Sequence, residues 1–358
     1  MKIVVTVQHA GHVHFFKHAI AELRRRGHEV RVFARDNEAS IDLLECCDIE
    51  YEVLAGPSGS LLSLAKAQSV YEARLLRRAI DFEPDVMTAI GGVAVSHVAP
   101  LVGARSVVFY DTEHASLIRR LAFPFADTVC TPECFSDDIG PKQVRYPSYH
   151  ELAYLHPNRF DPDESVLEDV GVDPDGDVVL VRLGDWSSSH DVGVSGIDDP
   201  ATLVEEIEAE GAEVLLSTEG DLPEGLASHG FSLEPDRFHD LLAAVDLYVG
   251  EGGTTAAECA VLGTPAVYVS DLALGYLAEL ESTYGLVVNC DGEGRSADAS
   301  EAARDILAAP DGVFERRRLT LLSEKVDATD VVLEQLVGDG SATPGGRESE
   351  GPPLRNVG

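Results

Sequence analysis

From residue 2 onward, short runs of Ile and Val alternate with longer amphipathic stretches, and this rhythm restricts the possible folds more than any other feature of the chain. Lys2 to Val7 reads as a buried strand, Val13 to Arg26 as a helix and Glu29 to Phe33 as the next strand. Gly27 stands where a glycine ends a helix, and Arg24, Arg25 and Arg26 load the negative end of its dipole. Further strands are expected at Ile49 to Leu54, Asp85 to Ile90, Ser106 to Tyr110 and Thr128 to Thr131. Strand, helix and strand at this spacing require right-handed crossovers, and therefore a parallel sheet.

After residue 140 the pattern breaks at Pro141, Pro147, Pro157 and Pro162, and Asp173-Pro174-Asp175-Gly176-Asp177 announces a turn. The rhythm then returns. Strands are expected at Val178 to Leu183, Ala212 to Ser217, Asp246 to Gly250 and Pro265 to Val269, with helices around Ala201 to Glu210, Arg237 to Val245 and Thr254 to Leu262. The expected fold is α/β: two Rossmann-like domains, residues 1–150 and 176–337, joined by a linker at 151–175, with parallel sheets facing across a cleft. The 358 residues suit two such domains. Residues 304–337 read as helical and free to pack on either domain, and the Gly-, Pro- and Ser-rich tail 338–358 as disordered.

Charge excludes one class of partner. Asp and Glu number 63 against 27 Lys and Arg, a net charge of −36, so phosphate-backbone binding has no basic patch to work with and nucleic acid is not an expected partner. Only 5 of the basic residues are Lys. An acidic, lysine-poor surface is similar to that of proteins from salt-in halophilic archaea, and is read as a solvated face and not as a docking site for a basic partner. The six cysteines show no C-x-x-C spacing, so buried reduced thiols are expected. MKIVVTV lacks a signal-peptide pattern, and no apolar run approaches the roughly 18 residues of a membrane span. A cytoplasmic location follows as the expectation, with peripheral membrane contact left open.

Ligands of open α/β sheets collect beyond the carboxyl ends of the strands, so the strand-end loops carry the chemistry. In Asp246-Leu-Tyr-Val-Gly250-Glu-Gly252-Gly253-Thr254-Thr255-Ala-Ala-Glu258 a strand runs through two glycines into a helix whose positive end faces the same place. That arrangement suits a phosphate or diphosphate. Glu258 lies one turn inside, placed either to accept bonds from a ribose diol or to close a Thr255-x-x-Glu258 capping box. In the loop Gln8-His9-Ala10-Gly11-His12-Val13-His14, Gly11 permits a tight turn and His12 stands at a helix start, where the dipole favours the neutral base. Capping or packing would equally employ His9, His12 and His14. His14 and His18 lie four apart on a helix face, but no third ligand is near and no metal is expected. The loop Tyr110-Asp111-Thr112-Glu113-His114 brings two carboxylates and a histidine to the cleft, with helix capping by Asp111 or Thr112 as the alternative. Trp186, the only tryptophan, stands in a polar stretch suited to stacking on a base or sugar, or to anchoring a surface. The Asp-x-Asp triplets at 161–163 and 173–175 read as turn residues.

The run G-G-T-x-x-x-E-x-x-x-x-G-x-P from Gly252 to Pro265 resembles the donor-site signature of GT-B glycosyltransferases and of the related UDP-N-acetylglucosamine 2-epimerases. The resemblance implies phosphate contacts from Gly252, Gly253, Thr254 and Thr255, and ribose contacts from Glu258. Gly11-His12-Val13 is similar to the first loop of the peptidoglycan N-acetylglucosaminyltransferase without its full run of glycines, which leaves the base open between His12 and His14. The epimerases use a glutamate in a loop like that of Glu113, yet where they place an aspartate this chain has Gly91-Gly92. From the N-terminus through Tyr149-His-Glu-Leu-Ala-Tyr-Leu-His156-Pro to the glycine turn, the chain resembles an archaeal family called domain of unknown function 354. Together these imply a metal-independent GT-B glycosyltransferase whose C-terminal domain takes a nucleotide sugar, a UDP-sugar for preference, and whose N-terminal domain presents a glycan or lipid-linked acceptor. The alternatives are an epimerase-like isomerase or hydrolase using Glu113, and a nucleotide-sugar binding protein without catalysis.

Overall fold

In the computed structural model the described residues are 1–56, 61–113, 116–163, 165–174, 176–184, 196–218, 220, 222–223 and 225–338. The first sheet comprises β1 (Lys2–Val7), β2 (Glu29–Arg35), β3 (Tyr51–Ala55), β4 (Val86–Ile90), β5 (Arg105–Phe109), β6 (Thr128–Pro132) and β7 (Gln143–Tyr146). The second comprises β8 (Val178–Leu183), β9 (Glu213–Thr218), β10 (Leu247–Gly250), β11 (Ala266–Val269) and β12 (Val287–Cys290). Their orders are β3-β2-β1-β4-β5-β6-β7 and β12-β11-β10-β8-β9, and every pairing is parallel. Strands buried on both faces explain the continuous Val and Ile runs that mark them in sequence. The first helix, Ala10–Arg25, buries Val13, Phe16, Ile20 and Leu23 at helical spacing and ends at Gly27, whose φ of +84° lets its N–H reach the Arg24 carbonyl.

The order of each sheet reverses once, between β1 and β4 in the first and between β8 and β10 in the second. These are the switch points at which two strand-end loops diverge and leave a crevice. His12 lies in the first turn of the helix that follows β1, and the loop after β10 carries Gly252, so both of the principal sequence candidates flank a switch point. Gly92 follows β4 with a φ of +59°, and a Cβ there would stand 2.2 Å from Val108 Cγ1. Glycine at this place serves backbone geometry and strand packing.

Two features depart from the sequence reading. The edge strands β7 and β12 were not expected. The stretch read as one helical region holds Arg295–Leu307, Val313–Glu324 and Ala328–Val337. The last of these returns to the first domain: Thr329 Oγ1 donates to the Ala153 carbonyl at 2.7 Å, and Arg105 Nη2 donates to the Gln335 carbonyl at 2.6 Å. The six cysteines are free thiols. Among the described residues no helix is long and apolar enough to cross a membrane. The tail from residue 339, together with Asp175 of the second Asp-x-Asp triplet, lies outside the described residues.

Candidate functional site

The glycine turn forms at the end of β10. Gly252 caps the Gly253–Leu262 helix without any side-chain cap, so the helix begins three residues earlier than a Thr255 cap would require and the capping box is not formed. Gly253 is required for close packing, because a Cβ would lie 2.3 Å from Leu274 Cδ1 and 3.1 Å from the Tyr276 hydroxyl. Thr255 is buried and bonds the Tyr248 hydroxyl beneath the turn, whereas Thr254 is exposed at the helix start and bonds Tyr276. The first-turn N–H groups and Thr254 thus form the open face. At the ends of β8 and β9, a cavity of about 580 Å³ is lined by Arg182, Ser217, Phe231, Glu234 and Phe238 of the second domain and by Ala10 of the first. Arg182 donates to Ser217 Oγ at 3.1 Å and lies 5.5 Å from the Phe238 ring centre. Glu251 accepts from Gly184 N and Ile197 N at 2.7 and 2.6 Å, bracketing the segment that contains Trp186 and His190, itself outside the described residues.

Glu258 is buried, and its Oε1 accepts from the Tyr154 hydroxyl at 2.7 Å and from His239 Nε2 at 3.1 Å. His14 stacks on Tyr154 at 5.0 Å and meets His239 edge-on at 4.7 Å, so the first helix of one domain packs directly against the carboxylate cluster of the other. Burial, reinforced by His239, Lys17 and His18, lowers the His14 pKa to about 2, and its Nδ1 is buried without a partner among the described residues. Lys17 is also held below the usual lysine range by burial, against the opposing pulls of Cys47 and Glu258. No group of three His, Cys, Asp or Glu residues among those described is arranged to hold a metal.

Across the crevice, His12 is half-buried with Nδ1 accepting from Gln8 N at 3.4 Å. Burial, then His9 and His150, lowers its pKa to about 3 against the pull of Asp111, so it is neutral at pH 7 and a weak base. Asp111 does not turn toward the helix that follows it. Its Oδ2 meets His150 Nδ1 at 2.9 Å while Oδ1 accepts from Thr112 Oγ1 at 2.8 Å. Burial alone would raise Asp111, but His150 and Thr112 outweigh it and hold the carboxyl below its ordinary range. Glu113 accepts from Ser136 N at 3.2 Å and packs against Gly275 of the second domain, with its Oε2 buried and unpartnered among the described residues. Glu151 is buried, and burial together with Asp111 and Glu258 pushes it well above the carboxylate range. His114 lies outside the described residues.

Of the candidates from sequence, the crevice gathers Gly11, His12 and His14 with Asp111 and Glu113 on one side, and Gly252, Gly253, Thr254 and Glu258 on the other. Asp163 of the first Asp-x-Asp triplet accepts from Ser165 N and pairs with Arg237, a turn role as expected. Sequence reasoning passed over His150, Tyr154 and His239. The run Tyr149 to Pro157, dense in ionisable and aromatic residues within a presumed linker, was the signal that held two of them.

Two parallel switch-point sheets facing across a crevice, with a glycine turn and helix start at the second, define the GT-B class of fold. Among solved structures, the UDP-GlcNAc 2-epimerase from Neisseria meningitidis bound to UDP-GlcNAc aligns with a TM-score of 0.69 at 13% identity, covering 93% of this chain and 99% of that one. Glycosyltransferase SsfS6 of Streptomyces sp. SF2575, complexed with thymidine diphosphate, aligns at 0.60 and 16% identity over 94% and 99%. The UDP-GlcNAc 2-epimerase from Methanocaldococcus jannaschii aligns at 0.61 and 13% over 90% and 99%. The chain belongs to the family described as "Protein of unknown function (DUF354)", which matches residues 1–336. Comparison with curated protein sequences gives no match.

Proposed function

We propose that the protein is a nucleotide-sugar-dependent glycosyltransferase that moves a sugar from a nucleoside diphosphate, UDP for preference, to a glycan or lipid-linked acceptor. The observation that carries this reading is the helix start at Gly252 and Gly253, which follows Gly250, the strand neighbour of the Arg182 that lines the roughly 580 Å³ cavity, with Glu258 one and a half turns inside. The diphosphate accepts from the free N–H groups of the helix N-terminus and from Thr254, which stabilise the charge that grows on the leaving group. The nucleoside occupies the cavity by Phe231 and Phe238, with Arg182 at its edge and the ribose toward Glu258. Gly11 and His12 bring the acceptor side to the same crevice.

Calorimetric titration of UDP, UDP-N-acetylglucosamine and other nucleotide sugars in molar KCl tests it. The reading expects saturable binding of one nucleotide family, weakened at least tenfold, about 1.4 kcal/mol, by Glu258→Ala. No binding to folded protein would leave Glu258 a structural residue of the domain contact and end the proposal.

One observation favours a second reading, a 2-epimerase or hydrolase. Glu113 reaches the domain contact with an unpartnered buried oxygen, as a proton-transfer group for a bound sugar would. Change of the nucleotide sugar in the absence of any acceptor, lost in Glu113→Gln, would select it. Nucleotide-sugar binding with no turnover under any condition would instead leave a binding protein.

A further inference from the structure

We propose that His150, oriented by Asp111, is the catalytic base of this crevice, in place of the histidine of the first loop. The proposal rests on the glycosyltransferase reading above. It arises from a segment, Tyr149 to Tyr154, that no part of the donor-site signature includes.

Asp111 Oδ2 lies 2.9 Å from His150 Nδ1. The carboxyl is held below its ordinary range, so it is ionised at neutral pH and can only accept. The proton of that bond therefore sits on Nδ1, which leaves Nε2 as the ring position that can take up a proton. His150 is 8% exposed, and its Nε2 is buried with no partner among the described residues. A buried polar atom without a partner calls for an explanation, and a ligand hydroxyl supplies one. Glu113 Oε2 and Tyr146 Oη, from the same strand-end region, are buried and unpartnered as well. Three such atoms around the ends of β5 and β7 mark a polar ligand.

Position agrees with the role. Glu113, two residues on from Asp111, lies against Gly275, whose neighbours Leu274 and Tyr276 pack on Gly253, so the strand-end loop that carries Asp111 meets the segment covering the donor helix start. His12 is the weaker candidate, because its pKa of about 3 makes it a poor proton acceptor and its Nδ1 is already taken by Gln8 N.

In the transfer step the acceptor hydroxyl gives its proton to His150 Nε2 while its oxygen bonds the anomeric carbon. The bond from that carbon to the diphosphate oxygen breaks, and its electron pair leaves with the nucleoside diphosphate. The imidazolium so formed is stabilised by the Asp111 carboxylate and returns its proton to solvent after product release.

The test uses the full chain in molar KCl, labelled with ¹⁵N-histidine, with the His150 signals assigned through His150→Gln. A protonated Nδ1 and an unprotonated Nε2 at pH 7 are expected; the opposite tautomer overturns the proposal whatever the protein binds. With the nucleotide sugar that calorimetry selects, His150→Gln should lower kcat by about 10²–10⁴-fold, leave the Kd for UDP within threefold, and remove the acidic limb of the pH–rate profile. If the limb persists in His150→Gln and disappears in His12→Gln, the base is His12 and the proposal falls. Should no nucleotide sugar bind while the tautomer is as expected, the donor reading has failed, and the assignment of a transfer base falls with it.

Discussion

Replacing Tyr154 by Phe removes one oxygen and keeps the ring that stacks on His14 at 5.0 Å. The oxygen lost donates to Glu258 Oε1 at 2.7 Å, in a site where Glu258 and Tyr154 are 7% and 3% exposed. A buried hydrogen bond to a carboxylate contributes about 1.5–3 kcal/mol, so Tyr154→Phe should destabilise the fold by that amount. Glu258→Ala should cost more, since it strands the Tyr154 hydroxyl and His239 Nε2 together, at about 1–3 kcal/mol for each buried orphan. The decisive quantity is the double variant. With Glu258 absent, the Tyr154 hydroxyl is a buried donor with nothing to bond, so removing it should be neutral or stabilising. Urea unfolding of the four proteins in molar KCl then gives a coupling of at least about 1.5 kcal/mol, against about 0.3–0.5 kcal/mol for independent sites. Equal costs for Tyr154→Phe in both backgrounds would refute the reasoning and show that the bond contributes nothing.

Gly253→Ala places a methyl 2.3 Å from Leu274 Cδ1 at the helix start, and should cost about 1–3 kcal/mol while abolishing nucleotide binding by calorimetry. His14, His12 and His18, with folded pKa values of about 2, 3 and 4, bind protons in the unfolded chain first, because the ordinary histidine value is 6.5. Their contribution is complete above pH 6.5 and falls as the pH drops from there toward 4, so urea midpoints should decline across that window; His14→Gln should flatten the slope by at most about 1.4 kcal/mol per pH unit. A net charge of −36 should make the melting temperature rise steeply with KCl, and a melting curve indifferent to salt from 0.1 to 3 M, about one Debye length shrinking from 10 Å to under 3 Å, would discard the halophilic reading.

Most of the fold was legible because the strands of a doubly covered parallel sheet are apolar on both faces. Lys2–Val7 and Val178–Leu183 announce themselves in this way. The missed strands are edges. Gln143–Tyr146 has only its last residue buried, and Val287–Cys290 is half-buried at its centre, so neither shows the continuous apolar run that marks a central strand. The glycine turn was legible for a local reason, the change from strand to helix at Gly252. Its detail was not. Spacing alone allows Thr255 and Glu258 to cap one another, and only the true helix start at Gly253, fixed by packing against Leu274, excludes it. The partner of Glu258 was out of reach, since Tyr154 and Glu258 are 104 residues apart in the chain and meet only when the two domains close on each other.

That long-range meeting bears on how the two halves of the site keep their spacing. His150 and Tyr154 flank a single 3₁₀ turn, Glu151–Ala153, as its two end residues. His150 bonds Asp111 of the first domain, and Tyr154 bonds Glu258 of the second. Just before them Tyr149 donates to Glu279, which also accepts from Lys325 Nζ at 3.0 Å, and between them the Ala153 carbonyl holds the returning last helix through Thr329. A 3₁₀ turn rises about 2 Å per residue. On the proposed reading, the backbone positions that carry the base and the partner of the ribose carboxylate are therefore held about 8 Å apart by the covalent path of five residues. A rigid-body movement of one domain on the other could break either bond, but it could not alter that spacing, so transfer geometry here depends on both ends of the turn being engaged at once.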